Sequence, residues 1–321
     1  RFVSSVSGGS VTGAWYGLRG AAGLEELRAN FLAKDNMATL FGQATDPITW
    51  FKLAFTSYTR NRAIQDLFDE RLFARARMGE LNQPGKPFVY PNATDMAGGE
   101  SFSFSPQRFD DICSDFDKLP ISVAVSASAA VPVAVSPVDF VNNSKGCAGT
   151  VGNPVWISTA LGNPYTPYLN LPRYRDARYA NDLRLGKNPF RGIEYLHFLD
   201  GGLADNLGVK PLVDAISSPN DKTGFLNAIN QGRIGKLVVI LVNARPDPPS
   251  ALYKEPETPG VVAAVGAISS APINAASANA QMVLDSLLTE IGKAAASAKD
   301  MKAGFKDLKV YGITVDYDQI P

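Results

Sequence analysis

A short strand that runs into a glycine turn and a helix constrains this chain more than any other feature. Phe2–Val6 has the pattern of a strand, Ser7–Gly9 that of a sharp turn, and Ser10–Leu18 that of a helix start. A serine in such a turn is held in a strained, exposed conformation that requires small neighbours. The helix behind it directs NH groups at a developing oxyanion. The segment predicts a nucleophile elbow with Ser7 as the nucleophile.

The elbow departs from the usual Gly-x-Ser-x-Gly pattern at one position. Ser5 replaces the first glycine and is small enough to be tolerated there. If Ser10 were the nucleophile, the β-branched Thr12 would replace the second glycine, so Ser7 is favoured. A second interpretation stays open, in which the serines of this turn only cap a helix.

A carboxylate at the end of an apolar strand is the second feature that could take part in a reaction. Tyr195–Leu199 reads as a strand that leads into Asp200-Gly201-Gly202. The two glycines let this loop approach another closely and adopt backbone conformations that other residues avoid. An ordinary Asp-Gly turn is the alternative interpretation.

Four sequence blocks, in this order, resemble those of the patatin-like phospholipases. They are Ser4–Ser10, Asn92–Asp95, Ala127–Pro132 and Asp200–Gly208. The resemblance implies a three-layer α/β/α fold with a mainly parallel central sheet. The strand patterns that alternate with helical ones, such as Leu237–Val242 after Val209–Ile216, independently favour an α/β sheet.

The resemblance also implies a mechanism and a substrate class. Ser7 would attack an acyl ester, such as a phospholipid, to form an acyl-enzyme, with Asp200 as the general base and the Gly8 NH as an oxyanion donor. The activity would be of the phospholipase A, lysophospholipase or carboxylesterase type, without metal or cofactor. We expect one domain over residues 1–321 that lacks the family's first strand and glycine-rich oxyanion loop, which precede the elbow.

Two further functions compete with the Ser7–Asp200 pair. His197 could complete a Ser-His-Asp triad, but it lies three residues before Asp200 on a strand, so the two side chains should face opposite sides. A non-catalytic interaction protein on a hydrolase scaffold is the other possibility. A nucleotide site is disfavoured, because Ser7–Ser10 lacks the lysine of a P-loop and the glycine spacing of a dinucleotide fingerprint.

Composition limits the partners and the compartment. The formal net charge is zero, which gives no overall attraction to nucleic acid, so any contact with a membrane surface must be local. Two cysteines and one histidine cannot build a zinc site on their own. Cys113 and Cys147 could be bridged or free. A bridge, together with blocks that resemble exported bacterial forms, favours a periplasmic, outer-membrane-associated or secreted protein, with a cytoplasmic one not excluded.

Three segments carry expectations about local structure. Asn92 and Asp95 are expected to brace a turn. Pro132 should end any helix formed by the preceding small residues. The Tyr- and Arg-rich stretch Gly146–Arg191 is expected to be irregular, and it could form a lipid-binding mouth or a solvated loop. Oligomeric state is not predicted.

Overall fold

The computed structural model describes most of the chain in two compact units, Arg1–Ala204 and Asp205–Pro321. The described residues are 1–34, 60–132, 135–147, 154–162, 171–186, 192–217, 228–229, 231–244, 260–297 and 308–317. The expectation of a single domain over residues 1–321 stays a prediction.

The first unit contains a five-stranded sheet in which β1, β2, β5 and β4 are neighbours in that order and β3 pairs with β2. The strands are β1 (Phe2–Val6), β2 (Phe88–Asp95), β3 (Ser101–Ser103), β4 (Val138–Val141) and β5 (Tyr195–Asp200). Three of them, β1, β2 and β4, point the same way. This agrees with the predicted sheet, although β5, which carries Asp200, runs antiparallel to both of its neighbours.

Helices surround this sheet. They are α1 (Gly8–Arg19), α2 (Leu24–Leu27), α3 (Arg60–Phe68), α4 (Pro106–Asp111), α5 (Ile121–Ser128), α6 (Val155–Gly162), α7 (Leu171–Leu185) and α8 (Gly202–Asp205). Helix α5 is made of small and apolar residues, so it packs closely against β2 and β5. It ends at Ser128, four residues before the proline that was expected to stop it.

The core of the first unit is built around phenylalanines. Phe102, Phe104 and Phe198 are fully buried, and their rings pack against each other and against Phe109 and Phe140. Tilted and edge-to-face aromatic pairs of this kind add to the free energy gained by burying the rings. Since Phe198 is only two residues before Asp200, this cluster anchors the strand that delivers the carboxylate.

The Tyr- and Arg-rich stretch contains two helices, so the expectation of an irregular region is wrong for α6 and α7. Some polar side chains of α7 are paired inside the protein, which the sequence pattern did not reveal. Arg108 of α4 donates to Asp176 of α7 at 2.7 Å, and Tyr179 donates to Asp95 at 2.8 Å. Tyr179 is therefore part of the core and not of a lipid mouth. Tyr165 and Tyr168 lie outside the described residues.

The second unit contains a parallel pair of strands and a long helix. Its elements are α9 (Lys210–Ser217), β6 (Lys236–Asn243), α10 (Val261–Ser297) and β7 (Lys309–Asp316). Alternate residues of β6 are buried together with Leu284, Leu288 and Ile291 of α10. The strand predicted at Leu237–Val242 is confirmed by β6. Among the described residues, none of the helices has the length and hydropathy that crossing a bilayer requires.

Candidate active site

The ends of β1 and β5 meet on opposite sides of one residue of β2. Val6 is level with Asn92, so the next residue, Ser7, follows at the level of Ala93. On the other side, Asp200 pairs directly with Ala93. Because β1 and β5 run in opposite directions, they approach Ala93 from opposite ends and both end there. The two predicted site residues are therefore brought together across a fully buried alanine.

Ser7 has the backbone conformation expected of a nucleophile elbow. Its φ is 52° and its ψ −131°, in a region that costs a non-glycine residue about 1–3 kcal/mol. It stands at the N-cap position of α1, yet its side chain makes no capping hydrogen bond. An ordinary capping serine has extended backbone angles and uses its hydroxyl oxygen on the helix. The interpretation of Ser7 as a simple helix cap therefore does not fit.

Asp200 is a buried carboxylate, with only 6% of its surface exposed. Its Oδ1 accepts a hydrogen bond from the Gly202 NH at 2.8 Å. Burial raises the pKa of Asp200, and hydrogen bonding by the Ser7 hydroxyl and the Gly202 NH partly offsets that rise. A carboxylate with a raised pKa is a stronger base than an exposed one.

The contact between Ser7 and Asp200 is close but incomplete. The Ser7 hydroxyl is near enough to favour the ionised form of Asp200, whereas Oδ2 makes no hydrogen bond of normal geometry with any described residue. A misaligned hydroxyl lowers the pKa of a carboxylate at short range even where it forms no hydrogen bond of normal geometry. Catalytic hydrogen bonds commonly align only when substrate binds.

Gly8 and Gly9 open helix α1 and are both exposed. The first NH groups of a helix have no acceptor within the helix, so the Gly8 NH can donate to a negatively charged oxygen beside Ser7. Apart from the chain neighbours and the helix's own backbone, no atom of the described residues lies within 4 Å of the place where a side chain would begin at either glycine. The described residues therefore leave space next to the Ser7 turn.

Gly201 is required by a close approach between the turn after Asp200 and strand β2. A Cβ atom added there would lie 2.1 Å from the carbonyl oxygen of Asn92. The expectation that the glycines after Asp200 permit a close approach is confirmed at Gly201, although the partner is a strand and not another loop. Its NH also donates to the carbonyl of Ser128 at 3.1 Å, which fixes the turn that follows the carboxylate.

Thr94 and Ser128 also hold the site, although the sequence reasoning assigned neither a role. Thr94 Oγ1 donates to the Asp200 carbonyl at 2.8 Å and accepts from the Ala204 NH at 3.1 Å. The Ser128 hydroxyl accepts from the Ser7 NH at 3.0 Å. Both residues lie within the blocks that carry the family resemblance, and this was the signal that could have identified them.

The two polar residues expected to brace a turn have different roles. Asp95 accepts from the Ala97 NH at 3.0 Å and does brace the turn after β2. Asn92 instead ties β2 to β1, because its amide donates to the Ser4 hydroxyl and the Ser5 carbonyl, both at 2.9 Å. The prediction is confirmed for Asp95 and wrong for Asn92, whose neighbours in space are on another strand.

His197 lies away from the Ser7–Asp200 pair. Burial alternates along β5, with His197 on its exposed side and Asp200 on its buried side. The His197 Nδ1 is 2.6 Å from Asp139 Oδ1, and both side chains are largely exposed. The expected orientation of these two residues on opposite faces is therefore observed, and it separates the histidine from the other two members of a triad.

Cysteines and potential metal ligands have clear positions in the described part of the chain. Cys113 and Cys147 form a disulfide that closes a separation of 34 residues. Among the described residues, no group of three or more His, Cys, Asp or Glu side chains is arranged to hold a metal ion.

A strained serine at the start of a helix, beside a buried carboxylate on an α/β sheet, is the arrangement of an acyl hydrolase site. Residues 1–213 match the family model described as patatin-like phospholipase. The chain belongs to the patatin-like phospholipase family, whose general activity is lipid acyl hydrolysis. A search of curated proteins found no significant match.

Proposed function

We propose that the chain hydrolyses acyl esters of lipids through an acyl-enzyme on Ser7, with Asp200 as the general base. The observation that carries this proposal is the position of the Ser7 hydroxyl. It is free of the helix cap and close to a buried carboxylate whose pKa is raised. Membership of the family supports lipid acyl hydrolysis in general. The proposal adds Ser7 as the nucleophile and Asp200 as the base of that reaction.

The proposed reaction begins when Ser7 Oγ attacks the ester carbonyl carbon and its proton passes to Asp200. The negative charge on the carbonyl oxygen is stabilised by the Gly8 NH. The intermediate then collapses, and the leaving alcohol takes the proton from Asp200. Water attacks the acyl-enzyme in the second half, Asp200 accepts a proton from that water, and the proton returns to Ser7 as the acid leaves.

Covalent labelling with a fluorophosphonate tests the proposal directly. The unaltered protein should be labelled at Ser7, and Ser7→Ala should abolish both labelling and ester hydrolysis. Asp200→Asn should slow labelling by several orders of magnitude while the fold remains, because the nucleophile loses its base. If intact, folded protein is not labelled, the proposal of a serine acyl hydrolase is refuted and a non-catalytic interaction protein is favoured.

His197→Ala is the matched control for the choice of base. It removes an exposed imidazole paired with Asp139, on the side of β5 opposite Asp200. The variant should keep most of the hydrolytic activity and its labelling rate. A loss as large as that of Asp200→Asn would instead support a Ser-His-Asp triad.

We also propose that the protein functions in an oxidising compartment, such as the bacterial periplasm, the outer membrane surface or the medium. The disulfide between Cys113 and Cys147 supports this location, because such bonds persist mainly outside the reducing cytosol. Fractionation of cells, combined with thiol labelling under denaturing conditions, tests it. Free thiols in the native protein would contradict it.

A further inference from the structure

The Ser128 hydroxyl lies beneath the nucleophile turn and joins three separate parts of the first unit. It is fully buried at the end of α5. Its oxygen is 3.0 Å from the Ser7 amide nitrogen, 2.6 Å from the Asn92 carbonyl oxygen and 2.8 Å from the Ser10 hydroxyl. The backbone carbonyl of the same residue accepts from the Gly201 NH at 3.1 Å.

The protons in this cluster fix the direction of the hydrogen bonds. A carbonyl can only accept, so the single proton of the Ser128 hydroxyl is donated to Asn92. The oxygen lone pairs are then available to accept from the Ser7 NH and from the Ser10 hydroxyl. The single proton of the Ser10 hydroxyl is donated either to Ser128 or, at 3.2 Å, to Ser5. The Ser128 hydroxyl thus accepts a hydrogen bond from the NH of the strained Ser7. Its own proton ties it to strand β2 through the Asn92 carbonyl.

We propose that Ser128 is a positioning residue for the Ser7–Asp200 pair. Its side chain holds the Ser7 turn and its backbone holds the turn after Asp200, so the separation of nucleophile and base depends on it. This inference rests on the proposed function of that pair. Ser128 does not contact the reacting atoms, because its contacts are with the Ser7 amide and not with the Ser7 hydroxyl.

The loss of this hydroxyl should change the reaction rate more than the substrate affinity. In Ser128→Ala the partly buried amide of the strained Ser7 loses its acceptor, and the turn can relax away from Asp200. We expect kcat and the rate constant of fluorophosphonate labelling to fall by about 10- to 100-fold, with little change in KM. The acidic limb of the pH–rate profile should move to higher pH, because a turn that relaxes away from Asp200 weakens the Ser7 hydrogen bond that lowers the pKa of this carboxyl.

The same helix offers a matched control. Ser122 of α5 has only 1% of its surface exposed, and its hydroxyl has no hydrogen-bond partner among the described residues. Ser122→Ala therefore removes a buried hydroxyl from α5 without touching the site, and its labelling rate should equal that of the unaltered protein. Ser128→Cys keeps the shape of the side chain but accepts hydrogen bonds weakly, so its rate should be intermediate. It also provides a readout if Ser128→Ala does not fold.

Hydrogen–deuterium exchange at the Ser7 amide measures the same link without catalysis. Exchange should be about 10- to 100-fold faster in Ser128→Ala and unchanged in Ser122→Ala, because only the first removes the acceptor. Labelling and exchange in Ser128→Ala that match those of Ser122→Ala would overturn the inference. If the unaltered protein is not labelled at all, the proposed function fails, and the exchange rate alone then supports or refutes the link between Ser128 and Ser7.

Discussion

The Gly201→Ala substitution tests how finely the site is positioned. The added Cβ would lie 2.1 Å from the Asn92 carbonyl oxygen and 3.1 Å from a methyl group of Val6. Contacts of a Cβ below 3.0 Å are essentially never found, so the turn after Asp200 and strand β2 must separate by about 1 Å. The turn after Asp200 therefore moves away from Asn92 of β2, which is hydrogen-bonded to the strand that leads to Ser7.

A displacement of about 1 Å can lower the rate of a reaction by about 100-fold, so we expect a fall of that size in kcat. Overpacking should also lower the free energy of unfolding by about 1–3 kcal/mol. Hydrolysis of a p-nitrophenyl ester and denaturant unfolding measure the two effects. Gly162→Ala, at the end of α6, is the control, since outside its own helix backbone and chain neighbours no described residue has an atom within 4 Å of the added Cβ. Unchanged kcat in a folded Gly201→Ala protein would refute the reasoning.

Three other predictions follow from contacts of the first unit. Asp200→Asn should raise the melting temperature at pH 8 but not near pH 4. The folded-state pKa of Asp200 is raised above its ordinary 3.8, so the buried charge destabilises the fold only as pH rises from 3.8 through the folded-state pKa. Equal shifts at both pH values would contradict this. Thr94→Val should lower the free energy of unfolding by about 1–3 kcal/mol and reduce kcat, because the Asp200 carbonyl and the Ala204 NH both lose their hydrogen bonds to Thr94; urea unfolding and ester hydrolysis measure both. Replacing Cys113 and Cys147 with serine should cost about 3–4 kcal/mol in urea unfolding, since the closed loop spans 34 residues; a stability equal to that of the oxidised protein would contradict it.

Local patterns predicted the elements that carry the site. The strand, turn and helix around Ser7 and the strand before Asp200 could be recognised because each depends on a few consecutive residues. Gly201 was equally informative, since the need for a glycine there comes from steric exclusion, whereas the described residues place no atom near an added Cβ at Gly8 or Gly9. The pairing of Ser7 with Asp200 came from the family resemblance, because nothing local indicates which turns meet in space.

Contacts between distant segments explain what the sequence did not show. The hydroxyl of Ser128 and the amide of Ser7 are separated by 121 positions in the chain. In the same way, the helical pattern of α7 was hidden because its charged residues are paired in the interior, as with Asp176 and Arg108. Burial of such polar groups depends on partners elsewhere in the fold, and hydrophobic periodicity does not report it.

The strand β2 determines where Ser7 meets Asp200, although it contributes neither residue. Ser7 and Asp200 are level because β1 ends opposite Asn92 and β5 ends opposite Ala93. A one-residue insertion between Phe88 and Ala93 would shift one partner strand relative to the other and turn alternate side chains to the opposite face. Related chains should therefore vary in length in the turn after Asp95, while the span from Phe88 to Ala93 keeps a constant number of residues.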